Sequence, residues 1–151
     1  ATLGVGDVRL MDYPDGKLDV IGLNTLRTDV DGMIDRSHAE MLLVFDEGGI
    51  TGHPDHTRAT EAAIASARGD LPVVAWALPQ DITAVLNLEF GTAFCGRPPT
   101  ELDFRLPVDR ATQRRAIACH ASQATDNPVL WRRLELLGDK EWLRILHPRG
   151  S

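Results

Sequence analysis

The sequence predicts one α/β domain of three layers around a mainly parallel sheet, and three observations carry that prediction. Apolar runs of strand length alternate with longer stretches at helical spacing, and neither repeats nor low-complexity tracts interrupt them. Met41 to Phe45 (MLLVF) is continuously apolar, as a strand covered on both faces should be. Polar, metal-competent residues gather just after that run, where open α/β sheets present their ligands.

Asp7 to Met11 alternates like a short strand and runs into Tyr13-Pro14-Asp15-Gly16, a turn signal. Leu23, Leu26, Val30 and Ile34 share one helical face, which predicts a helix over Leu23 to Ile34 despite Gly32. The strand Met41 to Phe45 leads into a loop at Asp46-Glu47-Gly48-Gly49. Pro54 suits the first turn of a helix running on to Arg68, with Gly69 as its breaker, and Ala59, Ala62, Ala63 and Ala67 keep one flank small. Leu71 to Leu78 predicts the next strand and Ile82 to Leu88 a helix. Arg97-Pro98-Pro99 forces an extended loop before a strand at Leu102 to Val108. Asp109 caps a helix to about Cys119, Asn127-Pro128 opens another that Gly138 closes, and Glu141 to Leu146 reads as a last strand.

A length of 151 residues with 43% hydrophobic and 25% charged content suits a single globular domain over 1–151. Sixteen Lys and Arg against 22 Asp and Glu give a net charge of -6, and no basic run is present to neutralise phosphates, which argues against nucleic acid as partner. Leu71 to Leu78, interrupted by Pro72, is far too short to span a bilayer. Cys95 and Cys119 match no zinc or redox spacing, so two reduced thiols in a cytoplasmic protein are expected. The chain opens on Ala1 rather than Met, and Ala1 to Val5 reads like the close of a helix running into a strand, so an upstream segment is expected. Arg149-Gly150-Ser151 carries no structural weight.

Gly52-His53-Pro54-Asp55-His56 places two imidazoles and a carboxylate at the mouth of a helix. His56, in the first helical turn, feels the positive end of the helix dipole, which favours the neutral, metal-binding imidazole. His53 lies just outside the helix beside an acidic residue, a setting for an imidazolium that stabilises an oxyanion or protonates a leaving amine. The plainer reading is a polar loop with a capped helix behind it, and two histidines fall short of the three protein ligands of a catalytic zinc.

The stretch Asp46 to His56, following MLLVF and preceding an alanine-rich helix, resembles the second signature of the LmbE-like, or PIG-L, family of zinc-dependent N-acetylglucosaminyl deacetylases. Leu3-Gly4-Val5 with Tyr13-Pro14-Asp15-Gly16, Val73 to Pro79, Val108-Asp109 and His120-Ala121-Ser122-Gln123 resemble further landmarks of that family in the same order. The resemblance implies a Rossmann-like three-layer sandwich, here lacking the family's first strand and helix. It also implies hydrolysis of an N-acetyl group from a sugar or glycoconjugate, with His56 as zinc ligand, His53 as the residue that stabilises the tetrahedral intermediate and protonates the amine, Asp55 tuning His53, and Asp15 on a sugar hydroxyl. The family's general base and two remaining zinc ligands belong to an Ala-His-Pro-Asp-Asp-Glu motif that does not occur in these 151 residues; His147-Pro148 is the only other His-Pro pair. An N-terminal segment or another chain is therefore expected to supply them and to complete the sheet, and the chain alone is expected to be inactive.

The alternatives are a sugar-binding or assembly module that kept the fold and lost the metal, and a different metal hydrolase drawing on Asp15 and Asp46. Among the other residues, His120 reads as a helix-end residue bonded to backbone, Trp76 as core, Trp131 and Trp142 as core or subunit contact in a possible homo-oligomer, and Asp46 as an anchor for the loop before His53. Arg97, Arg105, Arg114 and Arg115 give no basis for choosing a substrate contact.

Overall fold

The computed structural model describes residues 3–69, 71–120 and 124–146. Its first regular element is a single 3-10 turn at Leu18–Val20. Asp7 to Met11, expected as a strand, joins no ladder among the described residues, and Val8 and Leu10 stand 69% and 90% exposed. Alternation supplies a strand's two faces but not a partner, and an unpartnered backbone stays in water. Helix α1 (Leu23–Ser37) overruns the expected end because His38 adopts a left-handed conformation, φ 50°, and returns its N–H to Ile34 O.

Strand β1 (Leu42–Phe45) is followed by one helical turn, α2 (Gly49–Gly52), and then α3 (Pro54–Ser66), with Pro54 at its first position. The small residues on α3 let it sit close to the sheet: Ala62 and Ala63 are buried, and Thr60 Oγ1 donates to Phe45 O at 2.8 Å. Ser66 Oγ donates to Arg27 O, binding α3 to α1. Strand β2 (Val73–Ala77) is the most buried of the sheet. Helix α4 (Gln80–Phe90) begins two residues earlier than the spacing predicts and ends where Gly91 takes φ 64°. After a 3-10 turn at Pro99–Glu101 come β3 (Phe104–Pro107), exposed along its length, and α5 (Arg110–Ala118), capped by Asp109 accepting from the N–H groups of Ala111 and Thr112. Helix α6 (Pro128–Leu137) and strand β4 (Lys140–Leu146) close the described chain.

The α/β class holds, and the sheet runs β1-β2-β4-β3. Its pairing is mixed where a mainly parallel sheet was expected: β1 with β2 is parallel, whereas β4 lies antiparallel between β2 and β3. An apolar run encodes burial on both faces but not direction. Here the sharp turn at Gly138 sends β4 back alongside β2. Alternation along β2 puts Val73 and Ala75 with Ile64 of α3, and Trp76 under the guanidinium of Arg133 of α6, so helices flank both faces in three layers. A second apolar cluster of Ile50, Leu78 and Leu137, with Phe45, Trp76, Ile82 and Trp142 against it, closes the end of the sheet at which the histidines sit. Trp76 and Trp142 are thus partly buried core residues. No helix of the described chain is long and apolar enough to cross a membrane.

Candidate active site

Strand β1 ends on Asp46, whose carboxylate is buried and fully engaged. Arg97 Nε donates to Oδ2 at 2.6 Å, while Arg144 Nη1 at 2.9 Å and the Glu47 N–H share Oδ1. Asp46 therefore anchors the loop that follows, as its position suggests, and the alternative that makes it a metal ligand with Asp15 finds its oxygens taken. The loop then passes through Gly49 at φ 65° and Ile50 at φ 59°. A buried β-branched residue at positive φ is a costly conformation, and such strain persists only where surroundings enforce it. Ile50 is fixed by packing on Leu78 and Leu137, and the twist aims the Gly49 carbonyl at His56.

His56 Nδ1 lies 3.1 Å from Gly49 O. A carbonyl only accepts, so Nδ1 carries the proton and Nε2 is the nitrogen left with a lone pair, the tautomer a metal-binding imidazole needs. The ring is clamped by Phe45, stacked 4.0 Å away at 18°. His53 caps α3: its Nδ1 accepts the Asp55 N–H at 3.2 Å, which places the proton of the neutral ring on Nε2. The two rings are 4.9 Å apart.

Asp55 is tied differently from the expectation. Its Oδ2 accepts from the Gly16 N–H at 2.7 Å and its Oδ1 from the Leu18 N–H at 3.0 Å, so the carboxylate fastens the loop carrying Asp15 to the start of α3. The Leu18 N–H holds its carboxyl below the usual range; burial opposes this, and the Gly16 N–H and the nearby His53 and His56 add to it. Tyr13, whose hydroxyl donates to Asp29, fixes the same loop to α1. Asp15 is thereby brought beside His53 and Asp55, with one potential ligand atom from each within 4.8 Å of the others.

These residues open on a cavity of about 750 Å³ that is also lined by Thr92, Leu130 and Arg133. Sequence reasoning passed over Arg133 and Phe45, which reach the histidines only through the fold. His120 ends α5, its N–H donating to Ile117 O, and Trp131 Nε1 donates to Ala124 O. Cys95 and Cys119 are exposed and unbridged. Ala121 to Gln123, His147, Pro148 and Arg149 to Ser151 lie outside the described residues, as do Ala1 and Thr2.

Zinc was the expected cofactor, and the donors fit it in part. Asp15, His53 and Asp55 are close enough to share an ion, yet His53 Nε2 bears a proton and both Asp55 oxygens already accept backbone N–H groups. His56 lies outside that trio, and its Nδ1, fixed by a carbonyl, leaves Nε2 as the ring nitrogen with a lone pair.

Residues 1–67, which hold Asp15, His53, Asp55 and His56, match the family model described as PIG-L: GlcNAc-PI de-N-acetylase. A curated relative, the 1D-myo-inositol 2-acetamido-2-deoxy-alpha-D-glucopyranoside deacetylase of Nakamurella multipartita, is 33% identical over 112 residues, covering 60% of this chain. The chain spans 36% of that relative's length. Two solved structures share the fold. The A40926 pseudoaglycone deacetylase Dbv21 aligns with TM-score 0.58 and 19% identity over 95% of this chain and 64% of its own. The zinc-inhibited form of teicoplanin deacetylase Orf2 aligns with TM-score 0.60 and 18% identity over 98% of this chain and 60% of its own. The resemblance read from the sequence is to this group.

Proposed function

We propose that this chain, LmbE-like and PIG-L-like in its sequence pattern and fold, is part of a zinc-dependent deacetylase that removes the acetyl group from an N-acetylglucosamine-type sugar or glycoconjugate. The observation that carries the reading is the pair of opposite tautomers that loop and helix backbone hold side by side. His56 is held with Nε2 unprotonated and His53 with Nε2 protonated, on one wall of one cavity. One ring is suited to bind a metal and the other to donate a hydrogen bond.

In this reading His56 is a zinc ligand. The chemistry a zinc supplies when bound is polarisation of the amide carbonyl and a lowered pKa for water. His53 Nε2–H donates a hydrogen bond to the oxygen that becomes negative as water adds. Once Nδ1 gives up the Asp55 N–H and takes a second proton from solvent, the imidazolium passes its Nε2 proton to the departing amine and returns to neutral, so acetate and a free amino sugar leave. Asp15 meets a sugar hydroxyl. Asp55 keeps Asp15 and His53 in register through Gly16 and Leu18 and adds its charge beside His53. Catalytic zinc takes three protein ligands, so an additional segment, in this protein or another chain, supplies the rest together with the base that takes the water's proton. The outer edge of β1 is a suitable place for it: it pairs with no strand among the described residues, and Leu43 is 62% exposed.

The test is zinc content and acetate release from N-acetylglucosamine conjugates, measured on the full protein with zinc supplied. His56→Ala should lose zinc. His53→Ala should keep zinc and slow acetate release by about 10²–10⁴-fold. Zinc retained by His56→Ala would overturn the ligand assignment, and sugar binding without acetate release in the wild type would make this a binding module of the same fold.

A further inference from the structure

The cavity has a cationic wall that hydrolysis of an N-acetyl group does not require. Arg133 projects from α6 with its guanidinium 5.0 Å over the Trp76 ring, and its Nε is buried without a hydrogen-bond partner. No carboxylate among the described residues pairs with it. Glu141, the acidic group nearest in influence, is committed elsewhere: Oε1 to Arg110 and Oε2 to Trp76 Nε1. Burial lowers the pKa of Arg133, Glu141 raises it less, and Arg110 adds repulsion, yet a guanidinium stays charged in any ordinary condition.

A half-buried cation with no ion-pair partner among the described residues gains from an anion that supplies one. Around it the other polarity agrees. Asn127, the N-cap of the ten-residue helix α6, and Val129 and Leu130 of its first turn line the same cavity and bring the positive end of its dipole to it. The same cavity is lined by Asp15, Asp55 and the histidines. It thus carries groups of both signs, in a volume that suits a sugar.

We propose that Arg133 is an anion-recognising subsite, so that the N-acetyl sugar this cavity takes carries a phosphate or a carboxylate. The proposal rests on the deacetylase reading for the sugar and on Arg133 for the anion. The guanidinium supplies a charge-assisted hydrogen bond to that group from its cavity-lining side, while its position over Trp76 holds the plane in place. Arg133 sets specificity and does no chemistry.

Isothermal titration of the full protein with N-acetylglucosamine, N-acetylglucosamine 1-phosphate and N-acetylmuramic acid tests this. At least one anionic sugar should bind about tenfold tighter than the neutral one, the worth of one charge-assisted hydrogen bond. Arg133→Met should abolish the preference, and Arg133→Lys should keep part of it. The anion that gains tells phosphate from carboxylate. Equal binding of all three sugars, or an unchanged preference in Arg133→Met, overturns the subsite. If Arg133→Met does not fold, inorganic phosphate decides on the wild type: it should compete with the anionic sugar and leave N-acetylglucosamine unaffected, and failure to compete overturns the proposal. Acetate release in the same samples separates the two readings. An anion preference without acetate keeps the subsite and rejects the deacetylase; equal kcat/KM for neutral and charged sugars rejects the subsite and keeps the deacetylase.

Discussion

Phe45 lies nearly flat on His56, ring centroids 4.0 Å apart and planes 18° from parallel. The last residue of β1 thus sets the orientation of the imidazole on α3, and the Gly49 carbonyl at 3.1 Å sets its tautomer. Strand and loop together prepare His56 before any ligand arrives.

That preparation makes Gly49→Ala an informative change. A Cβ at Gly49 would stand 2.9 Å from Thr57 Oγ1 and 3.3 Å from His56 Cβ, at φ 65° where L residues are strained. The carbonyl must shift and His56 loses the hydrogen bond that fixes its ring. Zinc affinity should fall roughly 10–100-fold, as it does when such supporting partners are removed, with a stability loss of about 1–2 kcal/mol. Competition with a chelator measures the first and urea unfolding the second. Unchanged zinc affinity would show that the carbonyl does not position the ring.

Asp55→Asn separates loop tethering from chemistry. An amide presents one acceptor oxygen where the carboxylate presents two, so either Gly16 or Leu18 loses its partner. Hydrogen exchange at those two amides should accelerate, and KM should rise as Asp15 loosens. If exchange at Gly16 and Leu18 stays slow while kcat alone falls, Asp55 acts on His53 rather than on the loop.

Much of this site was legible because Gly52 to His56 are consecutive: one turn of chain carries both imidazoles, the proline that starts α3 and the carboxylate. The partners of Asp55 were not legible, since backbone N–H groups of Gly16 and Leu18 leave no side-chain signature. Phe45 and Arg133 were hidden for another reason. They meet the site through sheet register and the placement of α6 on β2, which no local pattern encodes. The same limit explains Asp7 to Met11, whose alternation is genuine but unpartnered, and the direction of β4, which burial alone does not specify.

Asp46 supports the loop from beneath. Asp46→Ala removes the carboxylate shared by Arg97 and Arg144 and leaves two guanidinium groups facing each other over a buried gap. Breaking a buried pair costs about 3–5 kcal/mol; with the arginines 25% and 18% exposed, the lower end is expected, about 3 kcal/mol in urea unfolding. A loss below about 1 kcal/mol would place this network with ordinary surface pairs.

Gly96 is required for lack of space rather than for its backbone freedom. A Cβ there would come within 2.1 Å of Thr83 Oγ1 and 2.4 Å of Gln80 Cα, where the chain passes the start of α4. Thr83 can rotate, but the backbone at Gln80 cannot withdraw without breaking the Gln80 N–H bond to Arg97 O. Gly96→Ala should destabilise by about 1–3 kcal/mol or more and perturb Arg97, hence Asp46. Thermal unfolding checks the first effect. A variant as stable as wild type would show that the loop at Gly96 yields freely.

Acid should weaken the contact between α4 and α6. Arg132 donates to both oxygens of Glu89, at 2.8 Å each, and these bonds hold the Glu89 carboxyl below its ordinary value of 4.5, with burial opposing and the Arg132 charge assisting. A carboxyl whose folded value is depressed binds its proton more readily in the unfolded chain. Its contribution is therefore complete above the unfolded value and declines as pH falls through the folded one. The stability difference between wild type and Glu89→Gln should be constant above about pH 6 and decline as pH falls below the ordinary value of 4.5 and through the depressed folded one. Because the pair is partly exposed, the difference at pH 6 should also shrink as salt is added. Urea unfolding of both proteins across that range measures it. A difference that persists unchanged at low pH would mean that the glutamate acts through packing on α6 and not through its charge.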